Sequence, residues 1–571
     1  MFGLLLGLEL AFILAWFLTH LSGFQWSNDE GTYLMRVRLV QQGYRLYRDV
    51  WTDQLPGLID LLGLVFALLG PSVEAGRGLV SVLTVIGLWG AAALARQFGG
   101  RAGALAVPLL LVLAPNLNEL ARALASPDLP SISLGVAGLA AMGRYIHARR
   151  SIWLFVSGLL FALGLYIKAT ALLALAPAAL WLTIDSLAKA GGVRTWAYRG
   201  LVWGATLILP LFGALAFHDL RGLYGQFVVT QIASGALELK IAAHAVKILR
   251  YLADHNWGLA ALGLAGAIIM ALRPRRRMGL AICLSWLAVS VAVLLVRSPM
   301  WPSHHLVVLL PPLAILAGAA LSSLWTSLTR RRLGREGALA LAALATYAAS
   351  LPGVWRADAQ LLAAPTYQTS LEAVAFLRHR FPQGALVISD YHMIPYRADC
   401  LVPPELATLS GKRIQLGLLS AQEMIRITQE RQVQAVILWD EQLTRLEEYG
   451  QWLRSHYVMA FKRTYHEIYV PLAEDAVQYQ GAAILGERIH LHGYSLSSPA
   501  VVPGETLDVT LFWQALRPLE LRYHGFVHLV AADGRAVAQD DHLAWGEHYP
   551  STEWHVGETI VDTYILHIPK E

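Results

Sequence analysis

Cysteine is nearly absent: two in 571 residues, Cys283 inside an apolar run and Cys400 in a polar region, so neither a disulfide framework nor a cysteine-based metal centre is expected. Charge is scarce as well. Asp, Glu, Lys and Arg make up 15% of the chain, against about 25% in an ordinary soluble domain. What takes their place is apolar, with 56% hydrophobic residues and a mean hydropathy of +0.48. The excess lies almost wholly before residue 354. The formal net charge of +5 would suit a nucleic-acid partner, but the basic residues sit in short clusters between apolar runs, which is a topology signal and excludes that partner. The first run lacks a basic leader and a small-residue cleavage site, so it reads as a span. The composition therefore predicts a polytopic α-helical membrane domain followed by a soluble tail.

A helix that crosses the hydrocarbon needs about 20 apolar residues. Eleven runs are candidates: 4–21, 76–98, 102–117, 129–146, 152–165, 169–184, 201–217, 257–272, 278–296, 305–324 and 337–351. The run 55–69 is short and led by proline, and reads as a helix lying at the interface in the first outer loop. Five basic clusters, at 96–101, 144–150, 189–199, 273–277 and 330–335, then fall on one face, which the positive-inside rule makes cytoplasmic. The amino terminus is expected on that face. Loops 24–73, 115–128, 218–256 and 297–304, with everything after 351, are expected outside the cytoplasm.

Those outer loops hold the chemistry-bearing residues. The stretch 24–56, FQWSNDEGTYLMRVRLVQQGYRLYRDVWTDQLP, is the one long polar interruption in the apolar half. It opens on Asp29 and Glu30 and closes on Asp53. Adjacent acids at the edge of a bilayer are costly unless they face water, a cation or a partner. Asp128, in Ser126-Pro127-Asp128-Leu129-Pro130, is expected in the first turn of a span, because proline starts helices well. Lys168 falls in a short turn between two spans, and His304 and His305 begin a later one. Each has a plainer reading: a solvated acidic loop, a snorkelling lysine, an interfacial belt of histidines beside Trp301. Arg36, Arg38, Arg45 and Arg48 suit lipid phosphate or headgroups equally.

The ordered set resembles the GT-C glycosyltransferases, in the branch of the protein mannosyltransferases and lipid A aminoarabinose transferases. The matching features are Asp29-Glu30 with Tyr33, then Gly43-Tyr44-Arg45-Leu46-Tyr47-Arg48-Asp49 leading to Asp53-Gln54-Leu55-Pro56, then Leu69-Gly70-Pro71, Arg77, Ser126-Pro127-Asp128, Lys168 and Pro311-Pro312. The resemblance covers roughly 1–351. It implies an integral membrane enzyme that moves a sugar from a polyprenyl-phosphate donor to an extracytoplasmic glycan, lipid or protein by inverting single displacement. Asp29 then matches the catalytic carboxylate placed to act as base or to orient the acceptor nucleophile, with Glu30, Tyr33, Asp128 and Lys168 binding substrate. Asp53, with His304 or His305, matches places where some members hold a divalent ion, although no cofactor is required. The usual double proline is Leu55-Pro56 here, and Gln54 stands where a lysine is common in the aminoarabinose branch, so that branch's specificity does not carry over. The other reading is a transporter or flippase of lipid-linked saccharides. Such proteins place polar broken helices at the midplane and show an internal repeat, whereas the acids here lie in outer loops and the two halves show no repeat.

The division expected is a transmembrane domain over 1–354, a small α/β domain over 368–472 and a β-sandwich over 481–571. In the α/β domain helices are predicted at 370–381, 420–431 and 445–455, with strands at 385–389 and 435–439. Ser420 and Glu423 form a capping-box pattern. Asp390 and Asp440, each just past a strand, read as loop and helix-cap acids in preference to marking a binding crevice. Strands at 489–494, 506–513, 525–530 and 559–567 suggest the sandwich, one or two strands short.

Overall fold

The computed structural model describes all residues except 23–25, 125, 190, 236–239, 298–299, 364–367, 474, 546–547 and 571. It forms two compact units, Met1–Thr366 and Tyr367–Glu571.

The first unit is helical. Eight of its described helices are long and apolar enough to cross a membrane, and the count becomes nine if Ile241–Asp254 and Trp257–Leu272, bent by 93°, are one span. This is fewer than the eleven expected. The runs at 102–117 and 152–165 form helices of only 12 and 17 residues, Arg101–Val112 and Ser151–Ile167. At a rise of 1.5 Å per residue, 12 residues reach only ~18 Å. The first of these helices stops where the chain turns into Pro115–Leu120, a break that a hydropathy window runs straight across. The run at 55–69 becomes Gly57–Leu69, a 13-residue helix started by Pro56.

Polar side chains tie these helices together where the surroundings offer no other partner. Trp203 Nε1 donates to Ser157 Oγ at 3.2 Å, and Ser157 Oγ donates to the Gly138 carbonyl at 2.9 Å, joining three helices. The helices Asp128–Ala148 and Leu310–Thr329 are the most enclosed, with 89% of the window buried in each corresponding span.

Among its described residues the second unit holds ten strands. β1 (Val387–Ser389), β2 (Ala435–Leu438), β3 (Tyr457–Arg463) and β4 (His466–Pro471) form one sheet in the order β1-β2-β4-β3. β1 and β2 are parallel, as a strand-helix-strand crossover requires, while the β3–β4 hairpin adds an antiparallel edge absent from the sequence-based expectation. Ser420 Oγ accepts the Glu423 N–H at 3.2 Å, but the Glu423 carboxylate turns to Arg426 instead of closing the box. Asp390 accepts the N–H groups of Trp439, Asp440 and Leu443, so it caps the chain leaving β2.

β5 (Tyr479–Leu485), β6 (Ile489–Leu496), β7 (Thr506–Ala515) and β10 (Thr559–His567) form a second sheet in the order β10-β7-β6-β5. β8 (His524–Val530) and β9 (Ala536–Leu543) pair as a two-stranded sheet. The α/β part and this β-rich part share one hydrophobic cluster, in which Ile388, Val436 and Tyr469 join Ala515, Tyr549, Trp554 and Ile560. Lys462 reinforces the junction, 2.6 Å from Glu467 and 4.5 Å above the Tyr549 ring.

Candidate functional site

Asp128 is the first residue of the helix Asp128–Ala148 and is fully buried. Its carboxylate gathers donors from four segments. Ser126 Oγ and Lys168 Nζ each donate to Oδ2 at 2.7 Å, and Thr170 Oγ1 donates to Oδ1 at 3.0 Å. Arg297 Nη1 stands 4.0 Å from Oδ1, and His305 Nε2 stands 3.8 Å from Oδ2. His305 Nδ1 accepts the Trp301 N–H at 3.0 Å, so the neutral ring carries its proton on Nε2, facing Asp128. One buried carboxylate thus faces two full cations. The Lys168 and Arg297 side chains remain 18% and 30% exposed, which leaves positive charge available to an incoming anion.

Lys168 is held by its backbone. It follows the helix Ser151–Ile167 in an extended conformation, and its carbonyl accepts Ser131 Oγ at 2.6 Å. Ser131 lies three residues after Asp128, on the same face of the helix, so one turn carries both the acid and the pin for its cation. From the other side Gly57 presses on the same turn. A Cβ at Gly57 would lie 2.5 Å from the Tyr166 carbonyl carbon and 2.7 Å from the Ile167 nitrogen. Gly57→Ala is therefore expected to cost about 1–3 kcal/mol by overpacking. Gly63→Ala on the same helix, with nothing within 4 Å of its Cβ, is the control. Equal melting temperatures for the two variants in detergent would refute the close-packed turn.

Asp29 and Glu30 part company. Both lie in the first turn of the helix Asn28–Gln41, where adjacent positions point about 100° apart. Asp29 is exposed at the helix N-terminus, a position that favours a negative charge. Glu30, expected beside the substrate, is fully buried. Arg77 Nε and Nη2 donate to its two oxygens at 2.7 and 2.8 Å, and the Leu124 N–H donates to Oε1 at 3.1 Å. Arg77 also donates to the Leu21 carbonyl. Glu30 therefore locks the first-loop helix to the span Val73–Phe98 and to the segment ahead of Asp128.

Tyr33 connects the acids. It is buried, and burial pushes its phenol up; Arg36 opposes this, while Asp29, Asp53 and Asp128 add to it. Lys168 in turn feels Asp29 as well as Asp128. Asp29, Asp53 and Asp128 therefore border one electrostatic neighbourhood around Tyr33. Asp53 is buried and bonded through its backbone: Gln231 Nε2 donates to its carbonyl at 3.1 Å. His304 packs edge-on against His305, ring centres 4.6 Å apart. Among the described residues no three His, Cys, Asp or Glu side chains form a metal-holding group, so Asp53, His304 and His305 do not assemble as one.

A strap after the helix Gly192–Leu215 closes over the first loop. Gln226, in the π-helix Tyr224–Val229, donates to the Tyr47 carbonyl at 2.9 Å and accepts the Thr52 N–H at 3.0 Å. π-Turns are uncommon and often mark functional segments, because the extra residue re-aims a side chain. Gly222 seats against the Tyr47 carbonyl, where no side chain fits.

Residues 56–213 match the family model described as Dolichyl-phosphate-mannose-protein mannosyltransferase. No curated protein matches the chain. Among solved structures, ArnT from Cupriavidus metallidurans bound to undecaprenyl phosphate superposes with a TM-score of 0.56 at 15% identity, covering 82% of this chain and 98% of that one. The apo state of the same ArnT gives 0.57, at 15% identity, covering 82% and 97%. The chain has a GT-C fold. The Archaeoglobus fulgidus oligosaccharyltransferase is a more distant likeness, with a TM-score of 0.48 at 14% identity over 82% of this chain and 74% of that one. With its apolar helices, this GT-C chain is an integral membrane protein.

Several site residues of the GT-C domain escaped sequence reasoning. Arg297 had a readable signal: a lone arginine ending an apolar run, apart from the five basic clusters. Ser131, Thr170 and Gln226 had none, since a hydroxyl or amide inside an apolar run carries no indication of its partner.

Proposed function

We propose that this protein is a membrane glycosyltransferase that takes a sugar from a polyprenyl-phosphate donor and passes it to an extracytoplasmic acceptor. The observation that carries the reading is the pair of partly exposed cations, Lys168 and Arg297, gathered on buried Asp128 within electrostatic reach of exposed Asp29. Lys168 and Arg297 receive the donor phosphate, and Asp128 fixes their positions. Asp29 takes the proton from the acceptor hydroxyl as its oxygen bonds to the anomeric carbon. The bond from that carbon to the phosphate oxygen breaks, and the electron pair leaves on the lipid phosphate, facing the two cations. Attack opposite the leaving group inverts the anomeric centre. Because the leaving group is already a phosphate, the step needs no metal. Undecaprenyl phosphate bound to ArnT, a protein of the same fold, supports the donor class. On this reading the amino terminus is cytoplasmic, and the Asp29 rim and the Tyr367–Glu571 unit are extracytoplasmic.

The test is the purified chain in liposomes with a panel of polyprenyl-phosphate sugars and product analysis by mass spectrometry. Transfer without translocation is expected. Translocation of the lipid-linked sugar without transfer would instead establish a transporter and overturn the proposal.

A further inference from the structure

Beside the phosphate-facing cations lies a second polar cluster. Asp60 belongs to the helix Gly57–Leu69, Tyr166 sits next to last in the helix Ser151–Ile167, and His218 lies just past Gly192–Leu215. The Tyr166 hydroxyl donates to Asp60 Oδ2. His218 Nε2 is 2.9 Å from that same oxygen and 2.9 Å from the Tyr166 oxygen. We propose that Asp60, Tyr166 and His218 are positioning residues that set Lys168 for the donor phosphate, resting on the reading of Lys168 given above.

The proton inventory gives each member a part. The Tyr166 hydroxyl has one hydrogen, and Asp60 takes it. Nε2 of His218 then meets two oxygens that both offer lone pairs, so it serves as a donor. The Tyr166 ring is held from two elements at once, and it lies only two residues before Lys168. The backbone of that turn has little other freedom: Gly57 presses against the Tyr166 carbonyl, and Ser131 holds the Lys168 carbonyl. A phenylalanine at 166 would fill the same space, but it would leave the ring without the carboxylate that fixes it. Directional bonds to Asp60 and His218 define where the turn sits, and thereby where Nζ of Lys168 points.

His218 also joins this network to the strap. Its ring meets Tyr47 edge-on at 6.0 Å. Four residues later Gly222 seats on the Tyr47 carbonyl, and Gln226 bonds that same carbonyl. The first loop, which carries Asp53, and the Lys168 turn are therefore referenced to one histidine.

The experiment is equilibrium binding of labelled undecaprenyl phosphate to the purified full chain in detergent, with melting temperatures recorded alongside. Lys168→Ala is expected to weaken binding more than tenfold. Tyr166→Phe and His218→Ala are expected to weaken it by roughly threefold to tenfold, the effect of one hydrogen bond. His218→Gln, which keeps an N–H near the position of Nε2, is expected to bind as wild type. In the Lys168→Ala background, Tyr166→Phe is expected to add nothing, because it acts through the missing ammonium; a general packing defect would add its full effect. If Lys168→Ala binds normally, the phosphate reading itself falls. If Lys168→Ala weakens binding but Tyr166→Phe and His218→Ala do not, or if their effects add to it in full, the positioning network is overturned while the phosphate reading stands. Should Tyr166→Phe fail to fold, the contrast between His218→Ala and His218→Gln decides.

Discussion

Asp29→Asn is expected to lower sugar transfer by about 10²-fold to 10⁴-fold, the contribution of a well-placed general base, while leaving the melting temperature unchanged. Asparagine has the same shape as aspartate but cannot take the acceptor's proton. Asp29 is exposed in the first turn of Asn28–Gln41, where an asparagine of the same shape needs no repacking. Donor binding, proposed above for Lys168 and Arg297, is expected to persist. Initial rates with the polyprenyl-phosphate sugar accepted in liposomes, together with donor affinity, measure both halves. Wild-type turnover in the variant would remove Asp29 from the chemistry and leave the site without a base.

Glu30→Gln, one residue away, is expected to act through stability. Its carboxylate is fully buried and faces Arg77, whose own side chain is 1% exposed. Removing one partner strands the other charge in a low-dielectric interior, which costs about 3–5 kcal/mol. Arg77→Met is expected to cost a similar amount. The double variant Glu30→Gln with Arg77→Met strands no charge, so it should melt well above either single variant. Unfolding in detergent across this double-mutant cycle gives the coupling. A Glu30→Gln protein that melts within a degree of wild type, yet loses activity, would return Glu30 to the substrate side. Adjacent acids are thereby predicted to fail in opposite ways, one kinetically and one thermodynamically.

The same pair illustrates what could be read from the chain. The dipeptide Asp29-Glu30 stood out because acids at the edge of an apolar run demand an explanation. Helical geometry alone put the two side chains on different faces, but only the fold supplied Arg77 from 47 residues away. Asp128 was legible as a helix start from Pro127, because a local dihedral preference is written in adjacent residues. Its ring of donors was not, since Lys168, Thr170, Arg297 and His305 arrive from segments 40 to 177 residues distant. The eleven apolar runs outnumber the eight or nine described helices long enough to cross for a related reason: hydropathy records how apolar a run is, whereas the break after Arg101–Val112 depends on where the helix stops. The α/β and β-rich parts of Tyr367–Glu571 differ in texture along the sequence, yet they share a core because Tyr549 and Trp554 join Ile388 and Tyr469 in one hydrophobic cluster.

By itself the sequence determined that this is a helical membrane protein whose apolar half ends near residue 354 and is interrupted by polar loops, because hydropathy and helix starts are properties of neighbouring residues. The tertiary structure alone decided which polar residues meet: Glu30 with Arg77, Asp128 with Lys168 and Arg297, and Tyr166 with Asp60 and His218. Such pairings depend on how separate helices pack, and a charge in a sequence carries no mark of the partner that will neutralise it.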